Sequence, residues 1–175
     1  MKVVFVTESL GSGGAERQLT GLEAIFAQKG IECIIVTWVE KNFYASSLAE
    51  NNVRHILLRP KGRLDRVKKL AAIFKEKPDA VISFLPMANE TCALASLISP
   101  VKLIVSERSF TTNWGLRRRL TNLLYRRAAY VVANSNNEAE NIRKHCPRLA
   151  AHTVAIPNYV DVERFASDAV KTRNR

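Results

Sequence analysis

The sequence predicts an α/β fold, a doubly wound, Rossmann-like, mostly parallel sheet of about seven strands with helices on both faces. Short apolar runs alternate with segments of helical periodicity from one end of the chain to the other. The apolar runs contain almost no polar residues, which is typical of strands covered on both sides in a parallel sheet. A length of 175 residues suits one such domain with a sizeable core.

Each element has its own pattern. Val3 to Thr7 is an apolar run, and the following helix, ended by Gly30, has Leu19, Leu22, Ile25 and Phe26 on one face. Pro78 ends the third helical segment. The predicted strands lie at 3–7, 31–38, 53–58, 79–84, 101–106, 130–133 and 153–156, and the predicted helices lie at 15–29, 45–51, 61–77, 89–98, 116–127 and 136–145.

Composition limits the partners and the compartment. Lysine and arginine number 27 against 16 acidic residues, a net charge of +11, which favours nucleic acid, an anionic membrane surface or a highly phosphorylated ligand. The three cysteines are widely spaced, which indicates a reducing cytoplasm and argues against a disulfide framework or a structural metal. No apolar run approaches the ~20 residues that span a bilayer, and the N-terminus does not resemble a signal peptide.

A glycine-rich loop follows the first predicted strand, with the sequence Gly11-Ser12-Gly13-Gly14-Ala15-Glu16-Arg17-Gln18. Glycines let a ligand approach the backbone closely, and a helix N-terminus offers free N–H groups and a positive dipole end. The loop therefore predicts a site for a phosphorylated group. The spacing is not the dinucleotide fingerprint, since Glu16 replaces its last glycine, and a tight strand-to-helix turn remains the alternative.

The loops after the predicted strands are rich in polar residues. In a parallel sheet these loops gather at one edge, where ligands bind near the switch point beside the first strand. We therefore expect a binding cleft there, although loops are polar in most proteins. The candidate cleft residues are Ser83, Asn89, Glu107, Arg108, Asn113, Ser135 and Asn158.

The segment Ser106-Glu107-Arg108-Ser109-Phe110 is the next candidate for chemistry. At a strand end, the carboxylate of Glu107 could orient sugar hydroxyls and the guanidinium of Arg108 could neutralise a phosphate. The alternative is a salt-bridged pair on the surface.

Two predicted helices are basic and amphipathic. In 116–127 the leucines form one face and arginines lie around it, and 61–77 has the same character. Such helices suit docking to anionic lipid head groups, although a run of charges is usually a solvated face. The residues predicted to contact a membrane or another polyanion are Arg63, Arg66, Lys69, Arg117, Arg118 and Arg126.

Several of these stretches together resemble the N-terminal domain of retaining, GT-B-fold glycosyltransferases of family 4. The resemblance covers residues 1 to about 165, in order. It rests on the Gly13-Gly14-Ala15-Glu16-Arg17 loop, Ile82-Ser83-Phe84-Leu85, Val105-Ser106-Glu107-Arg108, Leu124-Tyr125-Arg126-Arg127-Ala128 with Val131-Val132-Ala133-Asn134-Ser135, and Ile156-Pro157-Asn158-x-Val160-Asp161 followed by Phe165.

The resemblance implies two domains, one that binds the acceptor and one that binds the donor. Residues 1–165 would be the acceptor-side domain, 166–175 a linker or frayed tail, and the C-terminal domain that holds the nucleotide-sugar would be absent from this chain. By the resemblance, Gly13 and Gly14 would reach the diphosphate of the donor, a UDP-sugar, without a metal or other cofactor. Glu107 would be the catalytic residue, with Arg108 beside it, although many members have a histidine in this stretch.

The resemblance also implies partners and a location. The acceptor would be a cell-surface glycan or a polyprenyl-pyrophosphate-linked glycan, and the protein would lie at the cytoplasmic face of the membrane. The chain alone is expected to lack transferase activity, because the donor-binding E-x7-E motif belongs to the missing domain.

Other readings of the sequence remain open. A basic nucleic-acid- or polyanion-binding Rossmann-like domain fits the charge, but no recognised RNA- or DNA-binding motif is present. A dinucleotide-dependent oxidoreductase fits the fold, but the glycine fingerprint is broken and Glu40 is the only acid near the second strand. A domain without any ligand of its own is the remaining alternative.

Overall fold

The computed structural model describes residues 1–51 and 53–160, so the predicted linker at 166–175 lies outside the described part of the chain. Seven parallel strands form one sheet in the order β3-β2-β1-β4-β5-β6-β7. They are β1 (Lys2–Val6), β2 (Glu32–Thr37), β3 (Arg54–Leu57), β4 (Ala80–Phe84), β5 (Leu103–Glu107), β6 (Tyr130–Ala133) and β7 (Thr153–Ala155). The predicted fold class and strand number are confirmed.

Six α-helices connect these strands, and a 3₁₀ helix (Pro147–His152) precedes β7. The helices are α1 (Gly14–Gln28), α2 (Ala45–Glu50), α3 (Arg63–Phe74), α4 (Pro86–Ile98), α5 (Leu116–Tyr125) and α6 (Asn136–His145). Helix α4 begins three residues before the predicted start, because Pro86 occupies its first turn, where a missing N–H has no cost.

The sheet separates two apolar layers, because successive side chains of a strand point to opposite faces. On one face, Val4, Ile34 and Val105 pack with residues of α3, α4, α5 and α6. On the other face, Val3, Phe5 and Phe84 pack with Leu19 of α1 and Leu48 of α2. We call these the α3–α6 layer and the α1–α2 layer.

The strand order reverses between β1 and β4, which pair side by side although they are far apart in sequence. Beyond β1 the chain turns one way to β2 and β3, and from β4 it proceeds the other way to β7. A crevice at the carboxyl ends of the strands is expected at such a reversal. The loop from β1 to α1 and the turn from β4 to α4 lie on its two sides.

Candidate functional site

A cleft of about 360 Å³ lies at this reversal. It is lined by the start of α1, the turn after β4, the residue that follows β5 and the segment that follows β7. The lining residues are Gly14, Ala15, Glu16, Gln18, Leu85, Arg108 and Asn158. Four segments distant in sequence thus meet at one cleft, as the strand-end rule predicts.

The glycine loop places the N-terminus of α1 at the cleft. Gly13 is the N-cap in extended conformation and provides no side-chain cap, so the first N–H groups of the helix lack a capping oxygen from it. A Cβ on Gly13 would meet the carboxylate of Glu16, which lies back over the first turn, where the helix dipole favours negative charge.

Gly14 differs from Gly13, because a Cβ built on it would have no neighbouring atom within 4 Å. Packing within the domain therefore does not require glycine at this position. Since Gly14 also lines the cleft, any side chain there would occupy the space in front of the helix N-terminus. The glycine keeps this space open for a bound group.

Arg108 provides the positive charge of the cleft. Its guanidinium stacks on the Phe84 ring, 4.6 Å from the ring centroid, and its Nη1 donates to Asn158 Oδ1 at 3.1 Å. Burial lowers the pKa of Arg108 to about 10, and its Nε has no hydrogen-bond partner among the described residues. A guanidinium that is partly removed from water binds an anionic group strongly.

Gln18 fixes the segment that carries Asn158, a contact that the sequence analysis missed. Its Nε2 donates to the carbonyl of Tyr159 at 2.7 Å, and its Oε1 accepts from the N–H of Tyr159 at 2.6 Å. Gly21, one turn later on α1, lies against the Tyr159 ring, where a Cβ would be 3.6 Å from Cδ1. The available signal was the i, i+4 spacing of Gly14 and Gln18, which places both on one face of the helix.

Leu85 is the second cleft residue that the sequence analysis did not select. It joins β4 to α4 with a φ of 75°, a left-handed conformation that costs a non-glycine residue on the order of 1–3 kcal/mol. The following Pro86 excludes the helical conformation at this position, and this Leu-Pro pair at a strand end was the signal that could have identified the turn.

Ser83 and Asn89 lie behind the cleft, in the α3–α6 layer, and both are completely buried. Ser83 Oγ donates to Asn89 Oδ1 at 2.7 Å, and Asn89 Nδ2 donates to the carbonyl of Ser106 at 3.1 Å. This chain of hydrogen bonds joins β4, α4 and β5 just below the cleft. The two residues hold the strand ends in place and do not line the cleft.

Glu107 is also turned away from the cleft, which corrects the expectation that it faces a sugar. It is 1% exposed, and its Oε1 pairs with Arg118 Nη1 at 3.1 Å. Because neighbouring residues of a strand point to opposite faces, Arg108 enters the cleft while Glu107 enters the core. The same ion pair corrects the expectation that Arg118 contacts a membrane, since its side chain is 13% exposed and stacks on Trp114 and Tyr125.

Comparison with known proteins identifies the family of this chain. Residues 12–164 match the model of Glycosyltransferase Family 4. The chain belongs to this family. The match covers most of the chain, including Gly13, Gly14, Arg108 and Asn158.

The relatives of this family 4 chain are longer proteins. It is 33% identical over 121 residues to the GalNAc-alpha-(1->4)-GalNAc-alpha-(1->3)-diNAcBac-PP-undecaprenol alpha-1,4-N-acetyl-D-galactosaminyltransferase of Campylobacter jejuni, which covers 62% of this chain and 33% of that protein. Anabaena HepE, solved with UDP-glucose, has a TM-score of 0.77 at 22% identity over 93% of this chain and 45% of its own. A Rickettsia africae glycosyltransferase has a TM-score of 0.76 at 21% identity over 94% and 44%, respectively.

Two further predicted cleft residues of the family 4 chain have local structural contacts. Asn113 Oδ1 accepts from the N–H of Gly115 at 2.9 Å and so shapes the turn before α5. Ser135 is the N-cap of α6, where its Oγ accepts from the N–H of Glu138 at 3.2 Å. Neither residue lines the cleft, whereas Gly14, Arg108 and Asn158 do. Asp161 and Phe165 of the final motif lie outside the described residues.

Most of the basic residues predicted to contact a polyanion are engaged within the domain. Arg63 pairs with Glu90 at 3.7 Å, and Arg66 stacks on Trp38 at 4.7 Å. Lys69 donates to the carbonyls of Leu58 and Arg59 and pairs with Asp65. Arg126 is exposed, and the side chain of Arg117 lies outside the described part of the structure.

Within residues 1–51 and 53–160, no helix is long and apolar enough to cross a membrane. In the same residues, no group of three or more histidine, cysteine or acidic side chains is placed to hold a metal ion.

Proposed function

We propose that this chain is the N-terminal half of a retaining glycosyltransferase that transfers a sugar from a UDP-sugar to a polyprenyl-pyrophosphate-linked or other cell-surface glycan. The single observation that carries the proposal is the open space at Gly14, which joins the N-terminus of α1 to the guanidinium of Arg108 in one cleft. The family supplies the reaction class, since the chain belongs to glycosyltransferase family 4.

The donor assignment follows from the chemistry of the cleft. A sugar nucleotide leaves a diphosphate whose negative charge grows as the glycosidic bond to it breaks. The N-terminus of α1, with the positive end of its dipole, and the Arg108 side chain can stabilise this charge without assistance from a metal. The UDP-glucose complex of Anabaena HepE supports a uridine nucleotide as the donor.

The acceptor assignment rests on the relative from Campylobacter jejuni, whose name describes a glycan on undecaprenyl pyrophosphate. A lipid-linked acceptor would be reached at the inner face of the membrane, where we place this protein as a peripheral enzyme. The chain spans one third of that relative and about half of the solved ones, so we expect no turnover by the chain alone. We propose that a further domain of the full-length protein binds most of the donor.

Within this proposal, the predicted site residues have distinct roles. Gly13 and Gly14 bind the diphosphate, Arg108 lies between the diphosphate and the acceptor and can contact both, and Asn158 lines the acceptor side of the cleft. Ser83, Asn89 and Glu107 are positioning residues, because they hold β4 and β5 from the opposite layer.

The test is a transfer assay with the full-length protein, a panel of UDP- and GDP-sugars and a polyprenyl-pyrophosphate glycan acceptor. Gly14→Val fills the space in front of α1, and we expect the rate to fall about hundredfold or more through lost stabilisation of the leaving group. Gly62→Val is the matched control, since a Cβ on Gly62 also has no neighbour within 4 Å but lies at α3, outside the cleft. Equal rates for the two variants, or no transfer from any sugar nucleotide, would contradict the proposal.

A further inference from the structure

Helix α5 is packed against the domain by its polar side. Its buried residues are Thr121, Asn122 and Tyr125, with exposures of 6%, 7% and 0%. Leu116, Leu120 and Leu123 are exposed instead, at 74%, 58% and 55%. These leucines are spaced i, i+4 and i+7, so they form one continuous ridge on the helix, which we call the leucine ridge.

Specific contacts fix this orientation. Arg118 pairs with the buried Glu107, Thr121 Oγ1 donates to Glu90 Oε1 at 2.9 Å, and Asn122 contacts the Cys146 sulfur. Rotating α5 to bury the leucines would break the ion pair and leave the carboxylate of Glu107 in the core without its partner. The leucine ridge is therefore held outward by the folded domain itself.

The charged residues of α5 and of the sequence on either side of it are all of one sign. Between Glu107 and Glu138 the sequence contains six arginines and no acidic residue. Arg119 lies beside the ridge, and Arg126 and Arg127 lie just beyond its C-terminal end; all three are exposed. An apolar ridge with cations around it matches the interface of an anionic bilayer, where leucine reaches the acyl chains and arginine binds the phosphates.

We propose that the leucine ridge inserts into the surface of an anionic phospholipid bilayer, with Arg119, Arg126 and Arg127 bound to lipid phosphates. This inference deepens the proposed function, on which it rests for its purpose, because a docked α5 would deliver the cleft to a lipid-linked acceptor. The position fits, since α5 follows the carboxyl end of β5, the same edge of the sheet at which the cleft lies. Burial of the three leucines in the bilayer would provide most of the binding free energy. The arginines would favour anionic over neutral lipids.

The test is co-sedimentation of the 175-residue chain with lipid vesicles, without donor or acceptor. We expect binding to phosphatidylcholine vesicles that contain about one quarter phosphatidylglycerol, and much weaker binding to phosphatidylcholine alone. Replacing all three leucines by glutamine (L116Q, L120Q and L123Q) should lower the partition coefficient about tenfold or more. Replacing Arg119, Arg126 and Arg127 by glutamine should remove the dependence on phosphatidylglycerol and on salt.

Matched controls separate insertion from a general loss of stability. Leu97 and Ile98 at the end of α4 are exposed by 46% and 55%, so L97Q with I98Q removes exposed apolar side chains elsewhere on the domain and should bind like the parent chain. Leu120→Trp adds an aromatic side chain suited to the interface and should tighten binding. Unchanged unfolding midpoints in urea verify that the variants are folded.

Several results would overturn the proposal. The leucine variant could bind as tightly as the parent chain, or the α4 control could lose binding equally. A dimer in size-exclusion chromatography that only the leucine variant dissociates would assign the ridge to a second copy. Failure of full-length protein to bind the same vesicles would assign the ridge to its other domain. Transfer to a water-soluble acceptor is unaffected by any of these results, so failure of this inference and failure of the proposed function are distinguishable.

Discussion

Glu107 and Arg108 are neighbours in sequence but belong to opposite sides of the sheet edge. Arg108 lines the cleft with Gly14 and Asn158, whereas Glu107 is buried against Arg118 in the α3–α6 layer. The cleft side carries open space and the guanidinium of Arg108. The buried side carries the ion pair and the Ser83–Asn89 hydrogen bonds that hold the strand ends. Changes on the buried side should therefore affect stability, and changes on the cleft side should affect transfer.

The largest expected effect is on the buried side. Glu107→Ala leaves the Arg118 guanidinium in the core without its carboxylate, and such losses cost about 3–5 kcal/mol. We expect the free energy of unfolding to fall by this amount in a urea titration. A change below about 1 kcal/mol would mean that water reaches Arg118 and that the two sides of the edge are not distinct.

A double variant sharpens the same comparison. Glu107→Met combined with Arg118→Met removes both charges and keeps apolar volume in the layer, so it should lose less stability than Glu107→Ala alone. The single variants Glu107→Met and Arg118→Met complete the comparison. If the stability loss of the double variant equals the sum of the two single losses, the pair is not coupled and the positioning role of Glu107 is wrong.

The second expected effect is on the cleft side. Arg108→Ala removes the only cation that lines the described cleft, and we expect the transfer rate of the full-length protein to fall about hundredfold, or about 2.7 kcal/mol. The free energy of unfolding should change by about 1 kcal/mol at most, since the lost contacts are a stacking contact and one hydrogen bond.

The conservative variant distinguishes charge from geometry. Arg108→Lys keeps the charge but cannot both stack on Phe84 and donate to Asn158 as the planar guanidinium does. We expect intermediate rates, with a larger defect in kcat than in KM. Rates equal to those of the parent enzyme in Arg108→Ala would remove this residue from the proposed site.

A buried carboxylate without a cation gives the third comparison. Glu23 of α1 is fully buried, and no ion pair joins it to any residue in the described ranges. Burial raises its pKa from 4.5 to about 7, offset in part by Asn51. Between these values the folded state holds a proton that the unfolded state has released, so stability falls as the pH rises through this window and is constant above it.

This dependence can be measured directly. We expect the free energy of unfolding to decrease by about 2 kcal/mol between pH 5 and pH 8 through Glu23. Glu23→Gln should remove that part of the pH dependence, because an amide cannot ionise. Glu32→Gln, which removes one carboxylate from the exposed start of β2, is the matched control.

The sequence predicted the sheet well because its strands are buried on both faces and their apolar runs are unambiguous. It also predicted the edge at which the cleft lies, and Gly14, Arg108 and Asn158 are found there. It did not predict the direction of each side chain within the loops. Glu107 and Arg108 could be assigned to opposite faces only after the last residue of β5 was known.

Helix α5 shows where the periodicity of apolar residues fails as a guide. The spacing of Leu116, Leu120 and Leu123 correctly indicates one helical face, but it does not say whether that face is buried. The buried face was decided by Arg118, whose partner Glu107 lies in a different element. Such long-range polar pairs leave no local pattern in the sequence.

The smallest expected effect concerns Ser135, which the sequence placed in the cleft and the structure places at the start of α6. Its hydroxyl accepts from the N–H of Glu138, so Ser135→Ala leaves one helix donor without its cap and should cost about 1 kcal/mol of unfolding free energy. Transfer by the full-length protein should remain within about twofold, since Ser135 does not line the cleft. Ser135→Asp, which restores a capping oxygen, should recover the stability. If Ser135→Ala loses transfer and Ser135→Asp does not restore it, the hydroxyl contacts substrate. Ser135 would then belong to the cleft side of the sheet edge and not to the buried side.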